Sequence, residues 1–190
     1  MTSNSAPTGV PEHVRDAVHA AGWNGVVLPR TKVSDYTVHP VIAIDAHVWA
    51  DRVTAGQRPE LDRSTLALWG AWTGDLGAPP PRPAVSIVGF VSTATRAATA
   101  LETLDALAGY GAGLWIATGP RRPRTLTLAE FDLTSIWVVH AHPARTSVLV
   151  HGRRGPVHTA QRGVALRHKE ELLFARALDS AHAPTGQAVA

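Results

Sequence analysis

Cysteine is missing from this 190-residue chain, and with it go disulfides, thiolate metal sites and a thiol nucleophile. Lysine is almost missing: Lys32 and Lys169 stand alone, and arginine carries the remaining positive charge. Long apolar runs are missing as well. None approaches the roughly 20 residues that a membrane-spanning helix needs. Residues 1–10 (MTSNSAPTGV) have neither the basic start nor the apolar centre of a secretion signal. These absences point to a soluble, cytoplasmic protein with no membrane partner. No large charge excess exists either: the formal net charge is +3, and the pI of 9.9 permits a polyanionic partner without demanding one. Abundant Ala, Arg, Gly and Pro beside so little Lys is what a GC-rich genome produces, so part of the arginine content reflects coding.

What is present is a central strand–helix–strand pattern. Ala84–Val91 (AVSIVGFV) is a nearly unbroken apolar run of strand length. Ser92 and Thr93 offer a helix N-cap, and Ala94, Ala97, Ala98, Leu101, Leu104 and Ala108 recur at helical spacing before Gly109. Gly113–Thr118 (GLWIAT) is a second buried-looking strand. Two apolar strands joined by a crossover helix make a βαβ unit, whose strands lie inside a covered sheet.

Upstream, Pro11–Ala21 predicts a short helix, Val26–Leu28 a short strand, and Tyr36–Val38 and Val41–Trp49 two more strands meeting near Pro40. Gln57–Asp62 is a loop, Arg63–Trp72 a helix, and Gly77–Pro83 (GAPPPRP) a stiff connector. Downstream, Phe131–His140 and Thr146–His151 predict a hairpin around His142–Arg145. A short strand at Val157–Ala160 and a long helix at Val164–Ala181 follow. The expectation is one α/β domain over residues 11–182, with disordered termini at 1–10 and 183–190. Its sheet is mixed, with helices on both faces, and a C-terminal β-hairpin and helix extend it.

Three residue sets carry chemistry. The first lies in Ser34–His47 (SDYTVHPVIAIDAH). If Pro40 sits near a turn, Asp35 falls opposite Asp45 on the neighbouring strand, with His47 on the same face as Asp45. Two facing carboxylates hold a divalent cation such as Mg²⁺, which activates water for attack on a phosphodiester. The element order αβββαβ and the pattern Asp35…Asp45-x-His47 resemble the PD-(D/E)xK nuclease superfamily. The stretch from Arg63–Trp72 through GFVSTATRAATALETL also resembles the nuclease-like replication–relaxation proteins of actinobacterial plasmids. The resemblance implies a nuclease-like core and DNA as partner. It also implies Mg²⁺-dependent hydrolysis by Asp35, Asp45 and His47, and a mobile element or plasmid as the source. His47 stands where that superfamily has lysine, and several of its branches have lost catalysis. A non-catalytic protein–protein or assembly role, in a homodimer, is the alternative.

The second set is His140-Ala141-His142-Pro143, whose two histidines point the same way along a strand, a workable spacing for a metal. This HxHP resembles part of the JAMM metalloprotease motif. Val150 and Arg153 occupy the places where that motif continues with serine and aspartate. The third set is basic: Arg121, Arg122 and Arg124 in one turn, Arg153 and Arg154 in another, and Arg167 on the last helix. On one edge of the sheet they would form a phosphate-contacting rim for DNA.

Overall fold

The computed structural model of the chain describes residues 9–142, 145–160 and 162–180. The tails expected to be disordered fall outside these residues, except Gly9 and Val10. In chain order the elements are α1 (Glu12–Ala20), β1 (Val26–Val27), β2 (Thr31–Val33), β3 (Tyr36–Ile44), α2 (Ala46–Thr54) and α3 (Arg63–Gly70). Then come β4 (Val85–Ser92), α4 (Ala97–Ala106), β5 (Ala112–Thr118), α5 (Thr125–Leu133), β6 (Trp137–His142), β7 (Arg145–Val150) and α6 (Val164–Asp179). The seven strands form one mixed sheet in the order β1-β3-β4-β5-β6-β7, with β2 also paired to β3. β4, β5 and β6 run parallel, and the other pairings are antiparallel.

The βαβ unit read from the sequence is the centre of this sheet, as β4–α4–β5. A second unit, β5–α5–β6, follows it. Both advance in the same direction across the sheet, and right-handed crossovers then put both helices on one face. That face packs Ala100 and Leu104 of α4 and Phe131 of α5 with Trp49 of α2 and Leu173 and Phe174 of α6. Trp115 stacks on Phe131 at 4.8 Å, and its indole N–H donates to the Ala94 carbonyl. The opposite face is covered by α1 through Val14, Ala17 and Val18, joined by Trp23. The Trp23 indole packs on Gly89, where an added Cβ would come within 2.5 Å of the ring. Among the described residues no helix is long and apolar enough to cross a membrane.

Several sequence expectations are corrected. Tyr36–Ile44 is one continuous strand through Pro40, not two strands meeting there. Pro40 accepts a bond from Leu28 N. Its nitrogen, on the same side, faces the break between β1 and β2, so no ladder bond is lost. The third expected strand ends at Ile44, because Asp45 caps a helix: its carboxylate accepts from His47 N at 3.2 Å and Val48 N at 3.1 Å. α5 begins in residues 125–130, which carry no strand or helix expectation, and takes in residues 131–133, the expected start of a strand. Val157–Ala160 is a turn closed by Ala160 N to Val157 O, not a strand. α4 starts at Ala97 with Arg96 as N-cap, later than Ser92-Thr93 suggested.

A buried ionic knot ties the helices of the thicker face together. Arg52 on α2 meets Glu171 on α6 through two bonds, Nη1 to Oε1 at 2.8 Å and Nη2 to Oε2 at 2.9 Å. Arg167 Nε adds a bond to the same carboxylate at 3.0 Å, and Glu60 N donates to it as well. The guanidinium of Arg52 also reaches the carbonyls of Arg58 and Arg82, and it lies over the Phe174 ring at 4.5 Å. Removing one charge leaves the others buried without compensation. Glu171→Leu should therefore cost about 3–5 kcal/mol in urea unfolding. Arg52→Met/Glu171→Leu should be more stable than Glu171→Leu alone, and the reverse ranking would show that the pair does not act as a unit.

Candidate functional site: a basic groove beside the first helix

The carboxylates proposed to share Mg²⁺ do not meet. Asp35 sits in the two-residue turn between β2 and β3, almost fully exposed, with Lys32 Nζ at 3.7 Å. Asp45 follows the other end of β3, roughly 30 Å away at ~3.3 Å per residue. Continuity of β3 through Pro40 separates them. The carboxylate of Asp45 is occupied with the α2 backbone, and His47 lies on that exposed helix surface with Asp51 at 3.7 Å.

The histidine pair is arranged as the hairpin register predicts, with His140 opposite Ser147. The tip, Pro143 and Ala144, lies outside the described residues. His140 is buried and its Nε2 donates to the Gly119 carbonyl at 2.9 Å, tying the loop after β5 to β6. The His142 ring centre is 6.1 Å from that of His140. Among the described residues no group of three or more His, Asp or Glu side chains is placed to hold a metal ion.

The arginines divide between opposite edges of the sheet. Arg121, Arg122 and Arg124 follow β5 and are exposed at the carboxyl edge of the parallel strands. β7 runs antiparallel to β6, so Arg153 and Arg154 emerge at the amino edge instead. Arg153 is engaged there: its Nη1 donates to Thr134 O, and its carbonyl accepts from the Trp137 indole N–H. Arg167 is held inside the ionic knot, with Nη2 on the Pro81 carbonyl at 2.6 Å. One phosphate-contacting rim built from all six does not form.

A different basic site does form. A groove of about 1450 Å³ runs beside α1. Its walls include Pro11, His13, Arg15 and His19 of the α1 region, Arg30 and Lys32 around β2, His39 of β3, and Arg176 and Asp179 at the end of α6. Among the described residues, four fixed cations thus line it against the single carboxylate of Asp179. Arg176 reaches Asp179 at 3.9 Å, and Lys32 reaches Asp35 just outside the lining at 3.7 Å. Both contacts are long and exposed, which makes them weak. Among the described residues Arg15 and Arg30 form no ion pair; Arg15 Nη1 donates to the Val10 carbonyl. Thr93, directly after β4, also lines the groove, so it opens at the carboxyl edge that carries Arg121, Arg122 and Arg124.

His39 is the buried member of this lining. Its Nδ1 bonds to the Leu28 carbonyl at 3.1 Å. Burial pushes its pKa below the ordinary value of 6.5; the Leu28 bond opposes this, and the charges of Arg30 and His13 add to the lowering.

Sequence reasoning missed the groove because its cations come from α1, the β1–β2 connection and the last turn of α6. No local motif joins them. The one usable signal was the rarity of lysine, which set Lys32 apart. In comparisons with known proteins, no family model, no curated protein and no solved structure matches the chain.

The capping geometry separates a structural from a catalytic role for the two aspartates. Asp45→Ala should destabilise the fold by about 0.5–2 kcal/mol through loss of the α2 cap. Asp35→Ala should change stability by less than about 0.5 kcal/mol. Thermal or urea unfolding of the two variants checks this; equal losses would contradict the assignment of Asp45 as the cap.

Proposed function

We propose that the chain is a DNA-binding protein that holds the phosphate backbone of duplex DNA in the groove beside α1 and does not cleave it. The observation that carries this reading is the charge of the lining: Arg15, Arg30, Lys32 and Arg176 against Asp179. The segments flanking the groove in sequence, residues 1–8 (MTSNSAPT) and 181–190 (AHAPTGQAVA), contain no Asp or Glu. Among the described residues, Asp35 and Asp179 are the carboxylates in ion-pair contact with the lining cations, both at long distance and exposed. Among the described residues Trp23 is the one Trp, Tyr or Phe in the lining and it is buried, so they offer no platform for stacking unpaired bases. Phosphate contact with a duplex suits it better than capture of a single strand. The loop with Arg121, Arg122 and Arg124 extends the positive surface along the same edge. Hydrolysis is left out of the reading because Asp35 and Asp45, the pair it would use, stand at opposite ends of β3.

A second reading, assembly with another copy of the chain, is supported by α5. Leu126 and Leu133 are largely exposed on one face of that helix, beside β7, the last strand of the sheet.

Binding to a mixed-sequence duplex, measured across salt concentrations without Mg²⁺, tests the first reading. Four phosphate contacts predict that log K falls with log salt at a slope between about −3 and −4. Arg15→Ala/Arg30→Ala should lower affinity at least about tenfold and flatten the slope by roughly 2, whereas Arg154→Ala at the opposite edge should leave affinity within about twofold. Absence of binding at low salt would refute the DNA reading. Light scattering tests the second: a monomer across the accessible concentration range would refute assembly.

A further inference from the structure

His39 differs from every other group in the groove. The fixed cations are arginines and a lysine on its walls, whereas His39 is an imidazole set into the sheet, 2% exposed, with one nitrogen already committed. The partner of Nδ1 is the Leu28 carbonyl, which can only accept, so the proton of the neutral ring resides on Nδ1. Nε2 then carries a lone pair, and it has no hydrogen-bond partner among the described residues. Toward an anion, the neutral ring presents an acceptor, which repels a phosphate oxygen. The protonated ring presents a donor and a charge, which attract one.

We propose that His39 is a binding residue of the groove that works by proton uptake: a phosphate group of the ligand is held by the protonated imidazole, so each binding event at this position takes up a proton. This rests on the reading of the groove as a DNA-binding site. Without a ligand's charge, the surroundings oppose the charged ring. His13, Arg15 and His19 line the site from α1, Arg30 and Lys32 from the β1–β2 side, and Arg176 from α6, with Asp179 as the one acid in the lining. Burial adds to that opposition. A bound phosphate reverses the sign of the local field and supplies an acceptor.

The sign of the pH dependence follows. Ligand raises the pKa of His39, so the bound state holds more protons than the free state between the two values. Affinity therefore rises as pH falls through that interval, and the gain is absent above the bound-state pKa. Each unit by which ligand raises the pKa is worth up to about tenfold in affinity.

The test is a titration of the histidine ring signals of the full chain by NMR, with and without a mixed-sequence duplex. Duplex affinity is measured in parallel at constant ionic strength between about pH 7.5 and 5.5. His39→Asn keeps an N–H donor for the Leu28 carbonyl and removes Nε2. The expected result is a rise of about one unit or more in the His39 pKa on binding, and loss in His39→Asn of most of the affinity gained on acidification. What His13 and His19 contribute should persist in that variant. A His39 pKa that the bound duplex leaves unchanged overturns the inference while the groove reading stands, and this arm needs no variant. A duplex that binds at no pH overturns both.

Discussion

The fold depends on keeping charge inside it. Arg52 and Glu171 are each almost fully buried, and moving such ions out of water costs several kcal/mol apiece before any contact is made. The cost is offset by two parallel bonds between the ions, a second arginine on the carboxylate, and backbone groups on both Nη atoms and on the carboxylate, with Arg52 Nε left without a partner among the described residues. That arrangement fixes where α2, α3, the proline-rich connector and α6 lie. Trp69 of α3 sits against the Arg167 guanidinium, and Pro81 of the connector accepts from it. The reach of the knot extends to the groove. α6 carries Glu171 near its middle and Arg176 in its last turn, so the pairing that anchors the helix also sets where its end meets the groove wall.

Two sets of arginines that composition does not separate therefore play different parts. Arg52, Arg153, Arg162 and Arg167 are spent on the fold, bonded to carboxylates or to backbone carbonyls. Arg15, Arg30 and Arg176, with Lys32, line a concave surface. Sequence proximity groups Arg167 with His168 and Lys169 as a basic run, yet the first and last of these are turned inward and their charge is not presented to a partner. A charge count over the chain weighs both sets equally, although the first is already committed to the fold.

Much of the architecture was legible because local pattern and global position agree. The run at 84–91, the helical spacing from Ala94 to Ala108 and the strand at 113–118 read as a βαβ unit, and they are one. The hairpin register was legible too, since a tip near Pro143 is enough to bring His140 opposite Ser147. The failures have physical causes. Pro40 looks like an interruption, but a gap in the neighbouring strand spares it the missing N–H. Asp45 looks like a strand residue because the apolar run before it is unbroken, and only its carboxylate bonds mark the helix start. α5 has Leu126 and Leu133 exposed opposite the buried Phe131, with Glu130 and Asp132 on either side of Phe131 in sequence, so its apolar residues do not gather on one face and show no amphipathic period to read. Misreading Pro40 and Asp45 is also what brought two distant aspartates together on paper.

The partners in the ionic knot lie 119 positions apart. A chain emerging from the ribosome N-terminus first has every strand of the sheet available before α6 appears. During that interval Arg52 has carbonyls to meet but no carboxylate from α6, and Trp49 lacks the Phe174 edge that later packs 4.9 Å from it. The sheet can assemble early, yet the face above it stays open and carries an unbalanced charge until α6 is made. Closure of the interior thus waits on α6, the helix that brings both the balancing carboxylate and the Phe174 ring.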